Sequence, residues 1–196
     1  MRMSDYDDKR DFRRTPEPKS GRGSTSGGDP VFVIQEHDAS TLHYDVRFEV
    51  DGTLKSWAVP KGPSTDPCEK RLAIPTEDHP LAYADFEGVI PEGEYGAGTV
   101  LVWDKGPYEN ITEKDGKTVP AARAIANGHF LVWLKGRKLT GGYALQRTGE
   151  GKDARWLLVK MDDAEADARR NPVSTEPRSV LSGRTRDEIA REEGEG

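Results

Sequence analysis

Between Leu42 and Val50 the chain alternates without a break. Leu42, Tyr44, Val46, Phe48 and Val50 fall on one side of an extended strand, and His43, Asp45, Arg47 and Glu49 on the other. Asp51-Gly52 follows at once, a strong signal for a two-residue hairpin turn. Thr53 to Val59 then reads as the return strand. In that register Trp57 faces Val46 and Val59 faces Tyr44 on the apolar side. Lys55 fits that side poorly and is expected near the rim.

The same short-strand grammar recurs along the chain. Val31-Phe32-Val33-Ile34 is an apolar, β-branched run, and further strands are expected at Thr99 to Trp103, Phe130 to Leu134, Tyr143 to Arg147 and Trp156 to Lys160. Gly93-Glu94-Tyr95-Gly96-Ala97-Gly98 reads as a turn into the first of these. Many short strands punctuated by Gly and Pro argue a mainly β fold, barrel or sandwich. A closed or nearly closed antiparallel β-barrel is favoured, because one wall can then carry a polar active-site groove while the inside stays apolar.

With 34% hydrophobic and 33% charged residues in 196, the chain is more polar than a fully folded one would be, so flexible ends around a compact middle are expected. Residues 1–29 read as a flexible N-terminal tail, with Ser20 to Gly28 linker-like. Residues 30–161 read as the barrel domain, and residues 162–196 as a polar C-terminal tail. In that last stretch Arg186 to Glu193 reads as a short helix with Thr185 as its cap.

The single cysteine, Cys68, excludes an internal disulfide and a zinc knuckle. The first residues carry no apolar run, so neither a signal peptide nor a membrane span is read there, and a cytoplasmic monomer with no membrane partner is expected. A net charge of −6 and a pI of about 5.3 argue against coating nucleic acid by bulk charge. They leave room for an enzyme that grips one end in a local basic cleft.

Chemistry concentrates in Gln35 to Arg47. His43 and Asp45 are two apart on a strand, so both point the same way, about 7 Å apart along the chain. Gln35 and His37 share a face of the preceding strand. If the two strands are neighbours, His37 meets His43 and Asp45. Two imidazoles and a carboxylate make a three-ligand metal site with positions left open for a phosphate oxygen or a water. Manganese and zinc are the first candidates. Arg47, on the same face, suits bidentate phosphate binding. His79 offers a second phosphate contact or a proton donor for the leaving oxygen.

Plainer readings stand beside these. An alternating polar face is commonly just solvated. Trp57, Trp103, Trp133 and Trp156 read as core, and His129 as structural, while Tyr83 and Tyr95 are open between packing and base stacking. Lys61 and Arg71 are ordinary surface cations unless the fold brings them to the cleft. Two other functions compete: a non-catalytic DNA-end-binding module with a structural metal, and an iron(II) oxygenase built on His43-x-Asp45 with a distant His such as His129.

The string Gln35-x-His37-x-Ala39-x-x-Leu42-His43-Tyr44-Asp45-x-Arg47-x-Glu49 resembles the signature of the 3′-phosphoesterase domain of DNA ligase D. The resemblance continues through Ser56 to Ser64, Lys70 to Ala73, Glu77 to Tyr83, Phe86 to Pro91 and Tyr95 to Gly98, and touches Lys9 to Phe12 and Thr15 to Pro18. It covers roughly residues 9 to 160. It implies a β-barrel with a polar groove and manganese-dependent healing of DNA 3′ ends in double-strand break repair by non-homologous end joining. A terminal 3′ ribonucleoside would be removed by phosphodiester cleavage, and then the 3′-phosphate. By that resemblance His37, His43 and Asp45 hold the metal (manganese, with zinc or cobalt as alternatives). Arg47 and His79 bind the scissile phosphate with Tyr83 nearby, and all six count as catalytic. Gln35, Lys61, Arg71 and Glu77 match supporting positions, Lys61 and Arg71 toward phosphate. Arg10, Asp11 and Glu17 match positions tied to the diesterase step. The implied substrate is a primer–template duplex, and the implied partners are a separate DNA ligase, a repair polymerase and the end-binding protein Ku. Phe48 departs from the more usual Leu. No Lys-x-Asp-Gly adenylation motif is present, since Lys114-Asp115-Gly116 lacks the spacer. A stand-alone member or an excised domain is therefore expected.

Overall fold

The computed structural model describes residues 3–21 and 27–194; Arg22 to Ser26, the middle of the stretch read as a linker, lie outside the described residues. In chain order the elements are α1 (Met3–Asp8), β1 (Val31–Asp38), β2 (Leu42–Val50), β3 (Thr53–Val59), β4 (Lys70–His79), β5 (Gly88–Ile90), β6 (Gly98–Asn110), β7 (Glu113–Lys114), β8 (Lys117–Thr118), α2 (Ala121–Ala126), β9 (His129–Lys135), β10 (Thr140–Thr148), β11 (Arg155–Lys160), α3 (Pro172–Thr175) and α4 (Arg186–Glu193). A 3₁₀ turn, Leu81–Asp85, links β4 to β5.

Eight strands close into an antiparallel barrel. They run β1-β2-β3-β4-β11-β10-β9-β6, and β6 returns to pair with β1, while β5 adds to the outer flank of β6. The hairpin has the register expected of it, with Val46 opposite Trp57 and Tyr44 opposite Val59. Asp51 and Gly52 have φ of 51° and 80°, the paired left-handed conformations that match the twist of two flanking strands. Lys55, opposite Phe48, is half-buried, and its Nζ lies 2.8 Å from Asp78 Oδ2.

The inward positions of the strands make the main core. Phe32, Ile34, Val46, Phe48, Trp57, Leu101, Trp103, Phe130, Leu145, Trp156 and Leu158 belong to one buried cluster. Aromatic edges meet faces there, as in Phe48–Phe130 at 5.5 Å and Trp57–Trp156 at 5.4 Å. Trp133 differs from the expectation: it alternates with inward Val132 and Leu134, so it faces outward and is half-buried.

A second core lies on the outside of the barrel wall. Val33, Leu54, Val100 and Val102 are covered there by Tyr83, Ala84 and Phe86 and by Tyr6 of α1. Strand β1 is therefore buried on both faces, which is why Val31 to Ile34 is an unbroken apolar run rather than an alternating one.

The ends are where the sequence reading needs correcting. In place of the flexible tail expected over 1–29, residues 3–20 pack on the barrel: Tyr6 is fully buried and its hydroxyl donates to Pro18 O at 2.6 Å, and Thr15 and Glu17 are buried too. In place of a free tail over 162–196, the described residues run along the barrel surface. Trp103 Nε1 donates to Glu176 O, Val180 N bonds Val102 O, and Ile189 of α4 is buried in the main core. Both stretches look tail-like because a few widely spaced anchors, set among charged residues, leave no periodicity to read. The α4 cap is as expected: the Thr185 side chain accepts from Glu188 N, and Glu188 returns a bond to Thr185 N. Strand β4 was not expected, since Pro75 removes a ladder donor and the apolar run Leu72 to Ile74 ahead of it is only three residues long. Lys114-Asp115-Gly116 forms the tip of the β7–β8 hairpin, with Asp115 and Gly116 at φ 53° and 73°.

Candidate active site

The pairing of β1 with β2 sets His37 directly opposite His43 and Gln35 opposite Asp45. Because these positions face outward on adjacent strands, the three side chains converge. One ligand atom from each of His37, His43 and Asp45 lies within 4.8 Å of the others. His37 Nδ1 is 3.6 Å from Asp45 Oδ2, and His43 Nε2 is 3.4 Å from Asp45 Oδ1. Ligands about 2.1 Å from a tetrahedral ion stand about 3.4 Å apart, so the spacings of the two imidazoles from Asp45 match those of ligands to one divalent ion.

The remaining ring nitrogens are occupied elsewhere. His37 Nε2 lies 2.7 Å from Gly96 O, and His43 Nδ1 lies 3.0 Å from Thr41 O. A carbonyl accepts only, so each of these nitrogens carries the proton and the other nitrogen offers its lone pair to the shared space. That is the outer-shell arrangement of metal-ligating histidines. Burial opposes charge on His43, but the hydrogen bond to Asp45 and its charge raise the pKa all the same. Burial likewise opposes charge on Asp45, yet Arg47 and the two imidazoles hold it well below the usual carboxylate range.

Arg47 lies behind this group, 2% exposed. Its Nε donates to Gln35 Oε1 at 2.7 Å, Nη1 to Ser56 Oγ at 2.9 Å, and Nη2 to Asp45 Oδ2 at 3.1 Å; Nη1 also lies 3.1 Å from His79 Nδ1. When His79 Nδ1 accepts from Nη1, these contacts use four of five guanidinium hydrogens and leave one on Nη2. Gln35 in turn donates to Tyr83 O and Phe86 O, which ties the 3₁₀ segment to the same group. Burial, then Arg47 and Arg10, push the pKa of His79 well down, so its ring is neutral at pH 7. Its Nδ1 touches both Arg47 Nη1 and, at 2.9 Å, Glu77 O. Accepting from Arg47 places the ring proton on Nε2; donating to Glu77 O leaves Nε2 an acceptor.

The N-terminal segment completes the pocket. Arg10 Nε donates to Glu17 Oε1 at 2.9 Å, and Nη1 reaches Glu77 Oε1 at 3.4 Å. Tyr83 OH donates to Glu17 Oε1 at 2.9 Å. Burial, reinforced by the charge of Glu17, pushes the Tyr83 phenol far up, so it serves as a hydrogen-bond donor and a packing surface. Its ring packs edge-on to His79 at 4.6 Å and under the Arg47 guanidinium at 4.9 Å.

The cavity, about 250 Å³, is lined by Arg10, Glu17, His37, His43, Asp45, Arg47, Glu77, His79 and Tyr83, together with Ala39, Ala58, Thr76, Ile90, Tyr95 and Gly96. The polar face of β2 is thus covered rather than solvated. Four expected contributors stand outside this lining; one of them, Gln35, supports the site from behind by accepting from Arg47 Nε. Asp11 is turned to Arg13, 3.0 Å away. Lys61 is exposed beyond the end of β3. Arg71 pairs with Glu69 at 2.6 Å; two places from the buried Ala73, it starts on the interior side of β4. His129 sits exposed at the start of β9, opposite Gln146, and takes no part in the three-ligand group.

Residue reasoning missed Ser56, Thr76 and Tyr6. Ser56 was recoverable, since the hairpin register sets it opposite Arg47. Thr76 was not, because β4 was not recognised; its hydroxyl is buried in the pocket wall with no hydrogen-bond partner among the described residues. Tyr6 carried no signal, because its contacts to His79 and Tyr83 depend on the docking of α1.

A family model described as the DNA Ligase D 3′-phosphoesterase domain matches residues 35–147. The chain is 50% identical over 188 residues to the multifunctional non-homologous end joining protein LigD of Pseudomonas aeruginosa, covering 93% of this chain and 21% of that protein. It is 46% identical over 165 residues to the protein of that name in Mycolicibacterium smegmatis, covering 83% of this chain and 21% of the relative. To the multifunctional non-homologous end joining DNA repair protein LigD of Mycobacterium tuberculosis it is 47% identical over 160 residues, with shares of 82% and 20%. The chain spans about a fifth of the length of these relatives.

Proposed function

This chain belongs to the DNA ligase D 3′-phosphoesterase domain family, and from that premise we propose that it is a metal-dependent phosphoesterase that heals 3′ ends of DNA for double-strand break repair. The reaction is hydrolysis of a 3′-phosphate, and of the phosphodiester joining a terminal 3′ ribonucleoside. The observation that carries the reading is a three-ligand group and an arginine side by side on one face of the neighbouring strands β1 and β2. A ligase, a repair polymerase and Ku are the partners such a role calls for. The relatives' names place those proteins in non-homologous end joining.

His37 Nδ1, His43 Nε2 and the Asp45 carboxylate would hold the ion, manganese being the first candidate. When bound, it supplies Lewis-acid chemistry to a phosphate oxygen or a water. Arg47 offers its remaining Nη2 hydrogen to the phosphate and offsets charge that builds on the other oxygens. Neutral His79, in the tautomer with the proton on Nε2, donates a hydrogen bond to phosphate or to the leaving oxygen. Tyr6 and Tyr83 exclude water from the back of the site, which strengthens each of these interactions.

The test is a gel assay on a labelled primer–template duplex ending in a 3′-phosphate or a single 3′ ribonucleotide, with manganese, magnesium, zinc, cobalt or chelator. Conversion to 3′-hydroxyl ends that needs metal and is lost in His43→Ala is the expected result. Tight binding of 3′-phosphate ends with no conversion under any metal would sink it in favour of a binding module.

A further inference from the structure

Tyr95 is out of keeping with the rest of the chain's tyrosines. Tyr6, Tyr44, Tyr83, Tyr108 and Tyr143 are 4% exposed or less, whereas Tyr95 is 47% exposed. It nevertheless lines the pocket, at its rim. An exposed ring on a loose loop would mean little, but the turn that carries it is fastened from several sides. Ala97 N bonds Glu94 O at 3.1 Å, Glu94 N bonds Pro91 O at 3.2 Å, and Arg14 Nε lies 3.0 Å from Glu94 Oε1. The carbonyl of Gly96, the next residue, receives the proton of His37 Nε2. The peptide that displays the ring thus also orients a ligand of the metal group, so ring and ligand are held in fixed relation.

Cations of the N-terminal segment reach the same ring. Lys9 Nζ lies 4.8 Å from its centroid and 3.5 Å from its hydroxyl, and the Arg10 guanidinium lies 5.3 Å from the centroid. Lys9 is also held by Glu77, 3.6 Å away on the pocket wall. The pocket interior, about 250 Å³, holds the ligand group, Arg47 and His79, and its inner tyrosine ring, Tyr83, is 2% exposed and leaves no face free for a base. The rim offers an exposed ring, Tyr95, with positive charge over it. An aromatic platform beside cations is how proteins hold unpaired bases regardless of sequence.

Building on the reading of this pocket as a 3′-end site, we propose that Tyr95 is the stacking platform for the nucleobase of the 3′-terminal nucleotide, with Lys9 fixing the ring's position. The phosphate then enters the pocket while its base stays on the rim, which orients the end without reading its sequence.

The experiment pairs two primer–template duplexes with identical 3′-phosphate ends, one with a normal terminal nucleotide and one with an abasic tetrahydrofuran residue there. Equilibrium binding and kcat/KM are measured for the wild-type chain, Tyr95→Ala and Tyr95→Phe. Loss of one base–aromatic stack weakens binding by about tenfold. Wild type is expected to lose that factor, through KM, when the base is removed. Tyr95→Ala should lose it on the normal end and nothing more on the abasic end. Tyr95→Phe, which keeps the ring and drops the hydroxyl, should recover the loss. If Tyr95→Ala weakens both duplexes equally, or wild type ignores the missing base, the stacking role is wrong. Absence of turnover by wild type on either duplex would count against the phosphoesterase reading alone, since the binding arm still decides the stack.

Discussion

Asp45 is where the charges of the pocket meet. Its carboxylate, 7% exposed, faces His37, His43 and Arg47 within 3.6 Å. Burial alone would favour the neutral acid, and the partners reverse that. Asp45→Asn keeps the shape and deletes the charge. It strands the buried Arg47 guanidinium and should cost about 3 kcal/mol in urea denaturation. It also removes the hydrogen bond and charge that do most to raise the pKa of His43 and leaves only the bond to Thr41 O against burial, so that imidazole should titrate lower than in wild type by NMR of the metal-free protein. The sign in wild type follows. A raised folded pKa means His43 stabilises fully below its unfolded pKa of about 6.5, and that stabilisation is lost as pH rises through the folded value. Asp45, depressed, stabilises above about 3.9, and that is lost as pH falls through its folded value. An unchanged His43 titration in Asp45→Asn would refute this assignment. At this scale the grouping of His43, Asp45 and Arg47 was legible, because strand alternation alone puts them on one face. The anchoring of Arg47 by Gln35, Ser56 and His79 was not, since it needs three further segments in place.

Elements read as tails are parts of the folded unit. The segment ahead of the barrel supplies Arg10 and Glu17 to the pocket wall, and Tyr6 to the outer core. The segment after it places α4 against β5 and β6, where Ile189 joins the main core and Arg186 pairs with Glu36 at 2.7 Å and Asp38 at 3.3 Å, on either side of His37. Ile189→Ala should therefore cost about 3 kcal/mol in thermal or urea unfolding. Arg191→Ala, on the exposed face of the same helix, should stay within about 0.5 kcal/mol. Equal, negligible effects would mean that α4 contributes nothing to the fold. The cap at Thr185 was readable, because capping is local chemistry between residues three apart. Where the helix docks was not, because one buried isoleucine among charged neighbours carries no period.

For the molecule as a whole, closure of the barrel puts β1 between β2 and β6 and so brings Gly96 to His37. The approach is tight at the join: a Cβ on Gly98, at φ +136°, would lie 2.0 Å from Asp38 O. A metal held by His37, His43 and Asp45 would tie together two strands of this closed sheet and should stabilise the entire fold. At a hundredfold excess over its Kd, manganese should add about 2.7 kcal/mol and raise the melting temperature by about 5–10 °C. Chelator should reverse the shift and His43→Ala should abolish it; an equal shift in that variant would place the ion elsewhere. The barrel, the hairpin register, the polar face of β2 and the family itself were all determined by sequence alone, because alternation, turn chemistry and motif spacing are properties of short stretches. Which residues cover that face, which cations reach the pocket and which stay outside, and how Tyr95 comes to stand at its rim were decided only by tertiary structure. Those facts depend on contacts between segments far apart in the chain, such as Tyr83 with Glu17 and Lys9 with Tyr95, whose formation depends on the closed barrel and on the docking of both ends against it.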